Sequence, residues 1–283
     1  MFNFDKDKKS ENSGVVILFD IGGTKMRVSL SRDGKTISKT EKLPTPKNFT
    51  EGMQFLEKLV GDVSGGEPVV AISGGLAGIL APDGDQIFRL PNLPEWDGKF
   101  IKTEISRHFG VPVYLENDCA MAGLGEAAYG AGRGSSVVVY MSVSTGIGGA
   151  RIVDGKIDEK VFGFEPGHQI IGAGDLESLI SGSAVEKKYG MHPADINDPE
   201  ILRELAANLA VGIYNSVLYW SPEAVVLGGS MITGKNPISL EEVRKKFSEL
   251  PVFFPEAPDI VKAELGDDGA MYGALEYAKQ KIS

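Results

Sequence analysis

Residues 20–24 (Asp-Ile-Gly-Gly-Thr) have the composition of a phosphate-binding turn and follow a short apolar run. Backbone N–H groups of glycines can approach an anion closely, because no Cβ is in the way. A carboxylate does not bind phosphate by itself, but it can share Mg²⁺ with it, directly or through water. Lys25 and Arg27 add positive charge nearby. A hairpin without a ligand is the simpler explanation of a single Gly-Gly turn.

Two more glycine-bearing segments, 144–149 and 228–229, also follow apolar runs. Three such turns favour a nucleotide site, since α/β proteins bind ligands where strands end. The sequence contains neither the Walker pattern Gly-x-x-x-x-Gly-Lys-Ser/Thr nor the dinucleotide pattern Gly-x-Gly-x-x-Gly. Nucleotide binding would therefore use another kind of phosphate loop.

Asn117 and Asp118 lie between a predicted strand and a predicted helix. On position alone, a helix N-cap is the simpler interpretation of either side chain. The alternative is catalytic, because a kinase that phosphorylates a hydroxyl needs a carboxylate to accept the proton. A helix N-terminus would keep that carboxylate ionised. Asp118 is the candidate for such a base.

Glu165 and His168 stand three residues apart in a Gly/Pro-rich loop, and Glu177 follows at the start of a predicted helical segment. Carboxylates and imidazoles suit sugar hydroxyls, which both donate and accept hydrogen bonds. The simpler alternative is a solvent-facing histidine and a first-turn helix acid. A metal at His168 is disfavoured because no other His or Cys is close in sequence, and Cys119 is expected to pack on its helix.

Strands alternate with helices along the chain, which predicts the α/β class. The predicted strands are 14–19, 25–31, 68–72, 111–115, 136–142, 150–153 and 224–227. The predicted helices are 49–60, 100–109, 119–129, 201–220, 240–250 and 270–282. Residues 73–75 (Ser-Gly-Gly) are expected to end the third strand, and residues 1–13 are expected to be a disordered lead-in.

The order strand, glycine turn, strand occurs twice, around residues 20–24 and 144–149. This weak similarity indicates two related domains, which suits a length of 283 residues. We predict an N-terminal domain over 1–118, joined by the C-terminal helix at about 267–283, and a larger domain over 119–266.

The formal net charge of −10 argues against nucleic acid as a partner and against membrane surfaces. The single cysteine, Cys119, cannot form an internal disulfide. The polar N-terminus is not followed by an apolar run long enough for a signal peptide or a membrane helix. We therefore expect a cytoplasmic protein.

Together these motifs resemble the ROK family (repressors, open reading frames and sugar kinases). The resemblance runs from Leu18 to about Gly273. Its parts, in order, are residues 20–27, 91–94, 116–118, 130–134, 144–149, 165–168 and 177–182. Each part is modest alone, but the ordered set is highly specific.

The resemblance implies an actin-like ATPase (ribonuclease H-like) fold, with two α/β domains and ATP in the cleft between them. It implies Mg²⁺ near Asp20, held through water, and a catalytic base at Asp118. The implied nucleotide-binding residues are Asp20, Gly22, Gly23, Thr24, Lys25, Thr145, Gly146, Gly228 and Gly229. The implied sugar contacts are Gly75, Asn92, Asn117, Asp118, Glu165, His168 and Glu177. Family members are often dimers, so a homodimer is expected.

Three departures from the family pattern sharpen these expectations. Many members carry a Cys-rich zinc loop, whereas here His168 and Glu177 are nine positions apart with no Cys between them, so no zinc site is predicted. Residues 73–78 differ from the usual Pro-Gly pattern of a sugar-contacting segment. About nineteen residues precede Asp20, which is too few for the DNA-binding helix-turn-helix of repressor members.

We therefore expect ATP-dependent transfer of the γ-phosphate to a hexose, with the 6-hydroxyl of glucose as the acceptor. N-Acetylmannosamine, N-acetylglucosamine, fructose and allose remain alternative substrates. A non-catalytic sugar-sensing protein on the same fold remains an alternative of another class, but a sensor has no need of a base. A DNA-binding repressor is disfavoured by the missing N-terminal domain.

Overall fold

The computed structural model describes residues 14–38, 40–251 and 253–282, and the lead-in expected at 1–13 lies outside them. Strands and helices alternate as predicted. The strands are β1 Val15–Ile21, β2 Lys25–Ser31, β3 Glu41–Pro44, β4 Val69–Leu76, β5 Ile79–Leu80, β6 Ile87–Arg89, β7 Val113–Asn117, β8 Val137–Val143, β9 Ile147–Val153, β10 Lys156–Ile157, β11 Ile170–Ile171, β12 Gly174–Asp175, β13 Ala224–Gly228 and β14 Asp259–Lys262. The α-helices are α1 Phe49–Ser64, α2 Ile101–Phe109, α3 Asp118–Tyr129, α4 Leu176–Ile180, α5 Gly182–Tyr189, α6 Pro199–Trp220, α7 Ser230–Thr233, α8 Leu240–Ser248 and α9 Gly269–Ile282.

The chain forms two compact units. The first unit takes in the described residues up to Gly125, the segment Lys160–Gly163 and the described residues from Asp268 onward. Its sheet has the strand order β3-β2-β1-β4-β7. Strand β1 is antiparallel to β2 and parallel to β4, and β4 is parallel to β7.

Strand β1 is apolar apart from Asp20, because both of its faces are buried. Val15, Ile17 and Phe19 point into a core shared with α1 and α2. Val16 and Leu18 point into a second core, shared with α3 and α9. Side chains alternate along a strand, so Asp20 lies on the face of Val16 and Leu18, toward α3.

The second unit contains Glu126–Glu159 and Phe164–Asp267. Its sheet has the order β10-β9-β8-β13-β14, with β8 antiparallel to β9 and parallel to β13. This is the arrangement of the first sheet, which confirms the internal similarity inferred from the two glycine turns. Helices α4, α6 and α8 cover one face and supply much of its core.

The third predicted strand extends one residue beyond the glycines that were expected to end it. Strand β4 continues through Ser73, Gly74 and Gly75 to Leu76. A Cβ on Gly74 would collide with Phe19, and a Cβ on Gly75 would lie 3.0 Å from the Cα of Asp118. Glycine serves here to let neighbouring segments approach. The second glycine turn is also shorter than predicted, because β9 begins at Ile147.

The longest predicted helix is confirmed as α6, and its ends follow the expected chemistry. The side chain of Asp198 accepts a hydrogen bond from the N–H of Glu200, and Pro199 occupies the first helical position. Ser221 ends the helix with a left-handed backbone, at φ 45°. No helix within the described ranges is both long and apolar enough to span a membrane. The predicted domain limits, 1–118 and 119–266, stay a prediction.

Candidate active site

Asp20 is a buried carboxylate near the end of β1, and it lies opposite Arg27 on β2. The Nε of Arg27 donates to Oδ2 of Asp20 at 3.0 Å, and a terminal nitrogen donates to the same oxygen at 2.5 Å. A buried charge needs such a partner because desolvation is costly. Arg27, which was expected to add positive charge near the phosphate turn, is therefore paired with Asp20. Lys25 is exposed at the start of β2.

The first glycine turn is closed by its own hydrogen bonds. The N–H of Gly22 donates to the carbonyl of Lys25 at 2.9 Å, so this N–H serves the turn itself. The hydroxyl of Thr45 donates to the carbonyl of Gly22 at 2.7 Å, and the N–H of Thr45 donates to the carbonyl of Thr24 at 3.0 Å.

Gly23 has a second role that the sequence did not reveal. A Cβ on Gly23 would collide with the side chain of Asn92. The ammonium of Lys47 holds the Asn92 segment by donating to its carbonyl at 2.9 Å. The structure thus brings together a predicted nucleotide-binding residue and a predicted sugar contact.

Asn117, rather than Asp118, forms the cap of α3. Its Oδ1 accepts hydrogen bonds from the N–H groups of Cys119, at 2.9 Å, and Ala120, at 3.1 Å. Its Nδ2 donates to the carbonyl of Gly78 at 3.0 Å. The simpler interpretation of the pair is correct for Asn117. The N–H of Cys119 also lies 2.8 Å from Oδ1 of Asp118 and donates to it.

Asp20, Gly75 and Asp118 lie at neighbouring strand ends. Gly75 is the register partner of Asp20 on one side and of Glu116 on the other. Asp118 begins α3 two residues after Glu116, and its Cα lies over Gly75. These positions are at the carboxyl ends of parallel strands, where α/β proteins place ligands.

Burial raises the pKa of Asp118 to about 6, and the negative charge of Asp20 adds to the increase. The N–H of Cys119 acts in the opposite direction, toward a lower pKa. A helix N-terminus was expected to favour ionisation, but it is outweighed by desolvation and by a like charge. At neutral pH the group is still mostly ionised. Such a pKa suits a general base, which works best near the operating pH.

The second glycine turn, in the second unit, is linked to α4. The N–H of Ile147 donates to Oε2 of Glu177 at 2.7 Å. A Cβ on Gly146 would lie 2.8 Å from that oxygen. The carbonyls of Ser144 and Thr145 accept from the N–H groups that begin α5, at 2.7 and 3.2 Å. Glu177, a predicted sugar contact, therefore contacts the turn predicted to bind nucleotide.

Glu165, His168 and Glu177 influence one another electrostatically. Burial raises the pKa of Glu165, the charge of Glu177 adds to this, and His168 opposes it. A hydrogen bond with Asp175 raises the pKa of His168, against a smaller opposing effect of burial. The acids Glu177 and Glu165 raise it further. The three side chains are thus near enough to affect one another's charge, and Asp175 is a further acid beside them; their contact with sugar stays a prediction.

Asp175 was missed by sequence reasoning. Its Oδ2 lies 3.0 Å from Nδ1 of His168, and its Oδ1 caps α4 by accepting from the N–H of Ser178 at 2.9 Å. These contacts lower the pKa of Asp175 to about 2. The hairpin of β11 and β12, in which Ile170 pairs with Asp175, brings the acid beside the histidine. An Asp directly before a helix was the available signal.

Gly228 and Gly229 end β13 and lead into α7. A Cβ on Gly228 would collide with the hydroxyl of Tyr140, while Gly229 has φ 86° and lies against the backbone of Val143. Directly beyond them is a pocket of about 160 Å³. Its lining includes Thr145, Gly182, His192, Ser230 and Lys235. The pocket joins the second glycine turn to the segment after Gly229.

Residues 14–38, 40–251 and 253–282 contain no group of three or more His, Cys, Asp or Glu side chains arranged to hold a metal ion. Mg²⁺ held through water at Asp20 and the absence of zinc both stay predictions.

The model of the ROK family matches residues 16–281. The chain belongs to the ROK family. This ROK chain is 26% identical to a glucokinase of Streptomyces coelicolor, over 94% of this chain and 98% of that protein. It is 29% identical to a fructokinase of Zymomonas mobilis, over 91% of this chain and 94% of that protein. It is thus similar to sugar kinases over almost its whole length.

Among solved structures, the ROK chain resembles a ROK family glucokinase from Streptomyces griseus in complex with glucose and AMPPNP. The TM-score is 0.79 at 25% identity, over 94% of this chain and all of that one (100%). The predicted family is therefore confirmed. The predicted α/β class with the actin-like ATPase fold is confirmed as well.

Proposed function

We propose that this ROK protein is an ATP-dependent sugar kinase that transfers the γ-phosphate to a hexose hydroxyl, with Asp118 as the general base. The observation that carries the proposal is the Asp118 carboxylate itself. It lies at a strand end over Gly75, it shares only the N–H of Cys119 with the cap residue Asn117, and its pKa is raised to about 6. A carboxylate with these properties can accept a proton at neutral pH.

The proposed chemistry is a single displacement. The sugar hydroxyl oxygen forms a bond to the γ-phosphorus while its proton passes to Asp118. The bond from that phosphorus to the bridging oxygen breaks, and ADP leaves with the electron pair. Little covalent chemistry is asked of the protein, so positioning and charge supply most of the rate.

For the nucleotide, we assign the turn of Thr145 and Gly146 to the phosphates and the pocket beyond Gly228 and Gly229 to the nucleoside. The AMPPNP complex of the Streptomyces griseus glucokinase supports ATP as the donor. In the first unit, the turn of Gly22, Gly23 and Thr24 is the second phosphate contact.

Mg²⁺ fits beside Asp20 by the chemistry of the donors, since carboxylates and water are the ligands it prefers. When bound, the ion would offset negative charge on the phosphates. The paired Arg27 fixes the orientation of the Asp20 carboxylate, which a metal-bound water would require.

For the sugar, we assign Gly75, Asn92, Asn117 and Asp118 in the first unit, and Glu165, His168 and Glu177 in the second. Glucose is the first choice, because a glucokinase and a glucose complex are among the similar proteins. Fructose, N-acetylmannosamine, N-acetylglucosamine and allose are the alternatives, and the similarity to a fructokinase favours testing fructose next. The proposal includes a cytoplasmic homodimer, in line with the family resemblance and the acidic charge.

A coupled assay of ADP release over a panel of sugars tests the proposal. We expect turnover on at least one hexose, and loss of about 10²-fold or more in Asp118→Asn, which keeps the shape but not the base. Sugar binding to the variant, followed by calorimetry, should persist. Asp62→Asn, on the exposed face of α1, is the matched control. Near-normal turnover by Asp118→Asn would exclude the base assignment.

The second candidate function, a non-catalytic sugar sensor, predicts a different result. Calorimetry would then detect sugar binding to the unaltered protein, while no sugar of the panel would give ADP. The raised pKa of Asp118 favours the enzyme, because a binding site gains nothing from a carboxylate that is costly to ionise.

A further inference from the structure

Lys160–Gly163, which we name the strap, belongs to the first unit, whereas the chain before and after it belongs to the second. The strap is short and has no regular secondary structure. Val161 and Phe162 are exposed, at 67% and 51%. A short exposed segment keeps a fixed position only where side chains attach it, and the strap is attached at two points.

Lys160 makes the first attachment. Its Nζ lies 3.0 Å from Oε2 of Glu116, and the two side chains are only 14% and 20% exposed. In the surface ion pair of Lys58 with Asp62, at least half of each side chain is in water (64% and 50%), and such pairs contribute little. Breaking a sheltered pair leaves a charge without compensation in a poorly solvated place. The pair of Lys160 and Glu116 is of this second kind.

Glu116 transmits the attachment toward Asp118. The same Oε2 accepts from the N–H of Asn117 at 3.3 Å. Asn117 in turn caps α3 through Cys119 and Ala120, and α3 begins with Asp118. A displacement of the Glu116 carboxylate would therefore act on the residue that fixes the start of this helix.

Phe162 makes the second attachment. Its ring centroid lies 5.9 Å from that of Phe88 on β6. Strand β6 pairs with β5, which begins one residue after Gly78. The carbonyl of Gly78 accepts from Nδ2 of Asn117 at 3.0 Å. Both attachments of the strap are thus connected to Asn117 through a few intervening contacts.

We propose that Lys160 is a positioning residue for the reaction: through Glu116 it fixes the Asn117–Asp118 turn, and so the placement of both side chains against the sugar. The inference rests on the proposed function, because it assigns a task to Asp118. It adds a residue that neither the family motifs nor the glycine turns indicate, 42 positions beyond Asp118 in the sequence. Lys160 does not itself touch sugar or nucleotide in this proposal.

The test compares Lys160→Met, Lys160→Arg and the surface control Lys58→Met, with steady-state kinetics for both substrates. In Lys160→Met we expect kcat/KM for the sugar to fall about tenfold or more, with a raised sugar KM. The reason is that the sheltered carboxylate of Glu116 loses its cation. The nucleotide KM should stay within about twofold. Arginine can reach the same carboxylate, so Lys160→Arg should recover most of the loss, and Lys58→Met should match the unaltered protein.

A general loss of folded protein gives another pattern. It lowers kcat in proportion to the inactive fraction and leaves both KM values unchanged. That pattern, or kinetics of Lys160→Met within about twofold of the unaltered protein, would overturn the positioning role. Phe162→Ala provides a second variant that keeps the ion pair: a rise in sugar KM is expected there too, and no change would argue against the strap.

The failure of the proposed function is distinguishable from the failure of this inference. If the unaltered protein releases no ADP with any sugar, the kinase assignment fails. Sugar affinity measured by calorimetry then replaces KM as the readout. Weaker binding in Lys160→Met, with recovery in Lys160→Arg, would still support positioning of the Asn117–Asp118 turn, and equal affinities would exclude it.

Discussion

The carboxylate of Glu177 accepts a hydrogen bond of 2.7 Å from the N–H of Ile147, at the end of the second glycine turn. A residue expected to bind sugar thus also holds the backbone expected to bind phosphate. Carboxylate side chains that accept backbone N–H bonds order loops strongly. The two binding roles proposed for the second unit therefore share one side chain.

Replacing Glu177 should affect both substrates. We expect Glu177→Ala to raise the KM of nucleotide as well as that of sugar, by about threefold to thirtyfold each, because the turn loses a charge-assisted hydrogen bond. Glu177→Gln retains an acceptor and should spare the nucleotide KM. Glu204→Ala, at a surface ion pair of α5 and α6, is the control. An effect of Glu177→Ala on sugar KM alone would contradict the shared role.

The raised pKa of Asp118 predicts the acid side of the activity profile. The base works only when ionised, so kcat/KM for the sugar should fall as the pH drops through about 6, the pKa of this group. Below that point the decrease should approach about tenfold per pH unit. In Asp20→Asn the like charge is gone, so carbon-13 NMR should show Asp118 titrating at lower pH. An unshifted titration would mean that burial alone sets this pKa.

His168 and Asp175 offer a test that does not depend on turnover. Asp175→Asn keeps the cap of α4, since Asn is an equally good capping residue, but removes the charge beside the imidazole. We expect the pKa of His168 to fall back toward its usual value, while His108 and His192 serve as internal controls in the same NMR titration. A constant His168 pKa would show that Glu165 and Glu177 dominate instead.

The pair of His168 and Asp175 should also make the free energy of unfolding depend on pH. The raised pKa of His168 stabilises the fold below about pH 6.5, and this contribution is lost as the pH rises through the folded value. The lowered pKa of Asp175 contributes above about pH 4 and is lost as the pH falls toward 2. Chemical unfolding of Asp175→Asn should therefore differ most from that of the unaltered protein between about pH 4 and 6.5, where both contributions are present.

Helices α3 and α9 pack through glycine, which supports the start of α3. A Cβ on Gly273 would collide with the backbone carbonyl of Met121. Gly273→Ala should therefore destabilise the protein by about 1–3 kcal/mol, as overpacking does. Gly61→Ala, in α1 with open space around it, should instead stabilise it by about 0.5–1 kcal/mol. Equal unfolding midpoints for the two variants would contradict the close packing.

The sequence predicted the main elements well because their signals are local. The apolar run of β1 reflects burial on both faces. The apolar residues at every fourth position of α6 reflect one buried stripe. Asp20 and Asp118 were found because each adjoins such an element. Strand β4 continues past residues 73–75 because glycine there allows close approach to Phe19 and Asp118 rather than ending the strand, which local sequence does not show.

What could not be predicted depends on contacts between distant parts of the chain. Nothing local decides whether Asn117 or Asp118 caps α3, since both residue types are good caps. The direction of Glu177 toward Ile147, the pairing of Asp175 with His168 and that of Lys160 with Glu116 all follow from tertiary packing. Motifs and periodicity therefore could not predict which charged groups of the candidate site pair with one another.

The packing of Asn92 on Gly23 has a consequence for engineering the protein. Libraries that vary Asn92 to change the preferred sugar would also vary the side chain that rests on the phosphate turn. Larger replacements would push on Gly23, and smaller ones would remove this packing contact with the turn. Selection for a new substrate at this position would therefore also select for nucleotide affinity, so a useful library would vary Asn92 together with Lys47, which holds its backbone.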